Sequence, residues 1–81
     1  MLVKGDVVKD IIESVKSLPF VEEVYLITPK EGADLGLRVK VKESTTEQII
    51  ELVDAINKVA MASDNPEDWV FVYWEWEEEK Q

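Results

Sequence analysis

The sequence predicts an α+β fold of αββαβ order, plait-like and an incomplete version of the ferredoxin-like arrangement. Two helices should pack on one face of a three-stranded mixed sheet. Three observations lead there. Two stretches carry apolar residues at helical spacing, one stretch alternates apolar and polar residues over eight positions, and an aromatic, β-branched segment closes the chain.

The first helix opens at Gly5-Asp6 and carries Val8, Ile11, Ile12, Val15 and Leu18 on one stripe. Asp6 is the expected N-cap, since its carboxylate can accept free backbone N–H groups of the first turn. Pro19 should end the helix at Leu18. Phe20 to Thr28 reads as a strand with Val24 and Leu26 on one face and Tyr25 and Ile27 on the other. Pro29 to Asp34 is turn chemistry, with Gly32 free to take positive φ. Leu35, Leu37, Val39 and Val41 then alternate with Gly36, Arg38, Lys40 and Lys42, giving a strand with a dry face and a wet, basic face. Ser44-Thr45-Thr46-Glu47 reads as a capping box. The helix behind it carries Ile49, Leu52, Val53, Ile56, Val59 and Ala60 on its stripe. Asn65-Pro66 ends it, Trp69 to Glu77 is the third strand, and residues 78–81 are an acidic, disordered tail of a single domain spanning 1–81. Met1 to Lys4 are a candidate for a short added edge strand.

Composition removes many functions. The 81 residues contain no cysteine and no histidine, so disulfides, thiolate and imidazole metal sites and His-based catalysis are excluded. The net charge of −9 opposes nucleic acid and anionic membranes, whose binding rests on Lys and Arg. No apolar run approaches the roughly 20 residues of a spanning helix, and a cytoplasmic protein without a signal peptide is expected. Abundant Glu and Lys with few Gln point to a thermophilic host. No nucleophile, phosphate loop or oriented acid–base pair is recognisable, so no enzymatic activity is expected.

Topology gathers the acids. The hairpin makes the first two strands antiparallel, and the helical crossover makes the third parallel to the second. The pole of the hairpin turn then receives Asp6, Glu31, Asp34, Asp64, Glu67 and Asp68, with only Lys4 and Lys30 nearby to offset them. The negative end of the second helix points there as well. A hard divalent cation would relieve this repulsion, and Ca2+ suits carboxylate, amide and carbonyl oxygens in flexible geometry. The candidate ligands are Asp64, Asn65, Glu67, Asp68, Glu31 and Asp34, at low affinity because separate segments must be ordered together. The competing reading is an ordinary turn with solvated acids, in a metal-free structural or interaction module.

In length, acidity, element order and the turn from Ser63 to Trp69, the chain resembles small, acidic, uncharacterised archaeal proteins for which calcium binding has been suggested. That resemblance implies an acidic loop-borne calcium site on Asp64, Glu67 and Asp68. The element order is also similar to the cytoplasmic domain of cation-diffusion facilitators, which dimerises and binds transition metals through histidines. This chain has no histidine to carry that role.

The sheet's open face is the second candidate. If Tyr73, Glu75 and Glu77 face outward with Trp69 and Phe71, the two acids pair with the basic stripe of Arg38, Lys40 and Lys42, and Trp74 and Trp76 face the helices with Val70 and Val72. Tyr25, Ile27, Arg38, Lys40, Phe71 and Tyr73 then form a patch suited to a homodimer or another protein partner.

Overall fold

A computed structural model of the chain describes residues 5–30 and 32–78. The elements are α1 (Gly5–Lys16), β1 (Val21–Ile27), β2 (Leu35–Val41), α2 (Thr46–Ala60), a 3-10 turn (Pro66–Asp68) and β3 (Val72–Glu78). The αββαβ order and the mixed sheet match the expectation. The strand order is β1-β2-β3, with β1 antiparallel and β3 parallel to β2. Both neighbours of β2 are taken, so a fourth strand could join only at an edge; Met1 to Lys4 lie outside the described residues.

The alternation of β2 decides the architecture. Leu37, Val39 and Val41 are fully buried, as are Ile11 and Val15 of α1 and Leu52 of α2, with Ile56 nearly so. These residues form one cluster, so both helices cover the same face of the sheet. Each such side chain contributes about 1.5–3 kcal/mol on burial. Val24 and Leu26 pair with Val39 and Leu37 and share the helix-side face, as expected. A register shift between Val21 and Glu23 breaks the strict alternation at the start of β1. Val72, Trp74 and Trp76 pair with Leu35, Leu37 and Val39, which puts the two indoles on the helix side. They meet edge to face, with centroids 6.2 Å apart. The Ser14 hydroxyl donates to the Ala55 carbonyl at 2.8 Å and ties the helices together.

Several boundaries differ from the sequence expectation. Asp6 is the second residue of α1 and not its cap; its charge lies in the first turn, where the helix dipole favours it. α1 ends at Lys16, and the Leu18 N–H turns back to the Val15 carbonyl at 3.1 Å. The cap of α2 is Thr45, whose hydroxyl accepts the Gln48 N–H at 3.2 Å. Ser44 stands one residue outside the cap, because α2 begins at Thr46, and its hydroxyl donates to Glu78 at 2.8 Å. Glu78 is therefore the last residue of β3 and not part of a tail. β3 starts at Val72 and not at Trp69. The Trp69 N–H closes the 3-10 turn onto Pro66, and the Val70 N–H bonds the Ala60 carbonyl at 2.9 Å. No helix among the described residues is long and apolar enough to cross a membrane.

Candidate functional site

Four segments converge at the pole of the hairpin turn. The Val70 N–H to Ala60 bond brings the end of α2 against the segment leading into β3. Asp34 then clamps that segment to β2. Its backbone N–H donates to the Phe71 carbonyl at 2.7 Å, and its carboxylate accepts the Phe71 N–H at 3.0 Å. Leu35 N–H shares the Phe71 carbonyl at 3.2 Å. The antiparallel run of α1 against β1 carries Asp6 to the same end.

The turn between α2 and β3 satisfies itself. The Ser63 hydroxyl accepts the Asn65 N–H at 3.1 Å and donates to the Asp68 carboxylate at 3.3 Å. The Asn65 side-chain oxygen accepts the Glu67 N–H at 3.1 Å, with Pro66 in the first turn. The Trp69 indole N–H donates to the Ser63 carbonyl at 2.7 Å and fixes the turn from behind. The turn residues of composition Ser-Asp-Asn-Pro signal these short-range bonds. The clamp by Asp34 has no sequence signal, because its partner is 37 positions away.

Asp64, Glu67 and Asp68 are exposed and Asp34 is half-buried. Glu31 lies outside the described residues. Among the described residues no three carboxylates stand close enough together to hold a metal ion. Neither of the two ion pairs found there includes an acid of this pole. Lys30, expected to offset the pole, instead lies over the Tyr73 ring, 5.7 Å from its centroid. The donor set of carboxylate, amide and carbonyl oxygens fits a hard cation. The geometry is a rigid backbone carrying separated carboxylates, not a formed cage.

The open face of the sheet is ordered differently. Its rows read Ile27-Gly36-Tyr73, Tyr25-Arg38-Glu75 and Glu23-Lys40-Glu77 across β1, β2 and β3. The outward set of β3 is thus the expected one from Tyr73 onward. Arg38 donates to one Glu75 oxygen through Nε at 2.9 Å and Nη2 at 2.7 Å, and the Tyr73 hydroxyl donates to the other at 2.9 Å. The Arg38 hydrogen bond and then that of Tyr73 hold the Glu75 carboxyl below its usual range. The same carboxylate raises the Tyr73 hydroxyl above its ordinary value. Lys42 lies past the end of β2, 3.8 Å from Glu22. Gly36 is buried under the hairpin turn. A Cβ there would stand 2.6 Å from the Ile27 carbonyl oxygen and 3.0 Å from Pro29. Tyr25 and Phe71 are 45% and 53% exposed. Comparison with protein-family models, with curated proteins and with solved structures finds no match to this chain.

Proposed function

We propose that the chain binds a divalent cation, best Ca2+, weakly, at the pole formed by the 63–69 turn and the start of β2. One observation carries this reading. Asp34, Asp64, Glu67 and Asp68 share an end of the molecule with the C-terminus of α2, and none of them is in an ion pair among the described residues. Like charges repel by about 1 kcal/mol per pair at contact distance in bulk water and by less at the wider spacing found here, and the helix end adds negative potential. A cation relieves both. Ca2+ accepts six to eight oxygens without strict geometry, so exposed carboxylates and turn carbonyls can be recruited one by one. Recruitment costs side-chain freedom, roughly 1.5–2 kcal/mol for a Glu held in one rotamer. The resulting dissociation constant falls at about 0.1–1 mM, the range of weak calcium modules. Magnesium, which needs octahedral geometry and gives up its water reluctantly, binds more weakly still.

A calcium titration followed residue by residue by NMR tests the proposal. Saturable shifts confined to residues 32–34 and 63–71 are expected, with Asp64→Asn plus Asp68→Asn weakening them and leaving the fold intact. Shifts that stay absent at about 10 mM Ca2+, well above the weak-module range, would sink it.

A further inference from the structure

We propose that the open face of the sheet is a self-association surface, on which two copies of the chain meet with β1 of each lying over β2 of the other. The chain carries a net charge of −9, so two copies repel over most of their surface. The open face is different. Lys30, Arg38 and Lys40 balance Glu23, Glu75 and Glu77 there, and this neutral area also exposes Tyr25 and, ahead of β3, Phe71. It is the face of the sheet that neither helix covers.

Sheets pack face to face with their strands nearly aligned, and a two-fold interface is self-complementary. Placing β2 on β2 sets Arg38 against Arg38, and placing β1 on β3 sets Glu23 against Glu77. Placing β2 on β3 sets Lys40 against Glu77, but it leaves the exposed Tyr25 of β1 outside the contact and calls on Glu75, which already holds Arg38 and the Tyr73 hydroxyl. Placing β1 on β2 sets Glu23 against Lys40 and Tyr25 against Arg38, each twice by symmetry. Neither Glu23 nor Lys40 has an ion-pair partner among the described residues, and an arginine over an aromatic ring is attractive. The two strands that meet, of seven residues each, offer a face of only roughly 220 Å² at ~4.8 Å per strand and ~3.3 Å per residue. A stable dimer uses about 800 Å² per partner, so this association is weak.

Sedimentation velocity over a concentration series at about 0.15 M ionic strength, where charges beyond ~8 Å are screened, provides the test. The wild type should show a sedimentation coefficient that rises toward the dimer at millimolar protein. Glu23→Lys and Lys40→Glu should each remain monomeric, because each sets like charges across the interface. An equimolar mixture of the two variants should recover association, since the lysine introduced in one chain then meets the glutamate introduced in the other. Recovery in the mixture separates contact between copies from the Glu23–Lys40 neighbourhood within one chain. A wild type that stays monomeric, variants that associate as well as the wild type, or a mixture that stays monomeric would overturn the proposal. Should a variant not fold, concentration-dependent NMR shifts of the wild type decide: shifts at residues 23–27 and 38–40 support it, and shifts elsewhere or none refute it.

Discussion

The open sheet face and the acidic pole are both rich in charge, yet they handle it in opposite ways. On the sheet, cations and carboxylates alternate across neighbouring strands, and Arg38, Glu75 and Tyr73 lock into one hydrogen-bonded group. At the pole, carboxylates share one end of the molecule without touching and with no ion pair among the described residues, and the hydrogen bonds of Asp68 and Asn65 are spent within their own turn. The difference teaches that β-register can neutralise charge locally, because it fixes opposite charges about 5 Å apart. A pole assembled from chain ends and turns has no such register. Its charge must be offset by solvent, salt or a bound cation.

Four experiments break or sharpen that contrast, taken in order of expected effect. Gly36→Ala forces a methyl group into the Ile27 carbonyl and the Pro29 backbone, so it should lose about 2 kcal/mol or more in denaturant unfolding, through overpacking. An unchanged midpoint would mean that the hairpin turn does not fold over the sheet. Asp34→Ala removes the acceptor of the Phe71 N–H and should cost about 1–2 kcal/mol, with faster amide exchange at Phe71 and at the start of β3. Asp34→Asn, which keeps an oxygen in place, should recover most of the stability but not the calcium shifts.

The third experiment follows pH. The Glu75 carboxyl is lowered in the folded state, so its contribution is present above the ordinary carboxylate pKa and fades as pH falls through the folded value. Tyr73 is raised, so its contribution is present below about pH 10 and is lost as pH rises through its folded value. Glu75→Gln should flatten both ends of the stability profile, with a modest loss at neutral pH as befits an exposed pair. The smallest effect belongs to the pole. Asp64→Asn with Glu67→Gln should raise stability by a few tenths of a kcal/mol in calcium-free, low-salt buffer, and about 0.5 M NaCl should erase the gain. A loss instead would show that these acids already have partners.

Much of this fold was legible in the residues. The strict alternation from Leu35 to Val41 told which face is dry, and the helical stripes ending in Ala60 told what covers it. The outward turn of Tyr73, Glu75 and Glu77 followed from charge pairing with Arg38 and Lys40. Capping was less legible. Both Ser44-x-x-Glu47 and Thr45-x-x-Gln48 fit the rule, and the choice fell to the residue where the backbone turns from extended to helical, Thr45, while Ser44 reaches across to Glu78 at the far end of β3. The acids of the candidate site could be assigned to one pole by topology alone, but their spacing could not.

By itself, then, the sequence determined the class, order and facing of the elements, because periodicity acts through neighbours a few positions away. It also determined the donor chemistry, since a chain with neither His nor Cys offers a cation only oxygen. Tertiary structure alone decided where β3 begins, since Asp34 and Ala60 claim the backbone of Val70 and Phe71 before any ladder forms. It alone decided that Gly36 lies under the turn and that the carboxylates of the pole stand apart. Those outcomes depend on groups tens of residues distant, whose approach is set by packing and not by any local pattern.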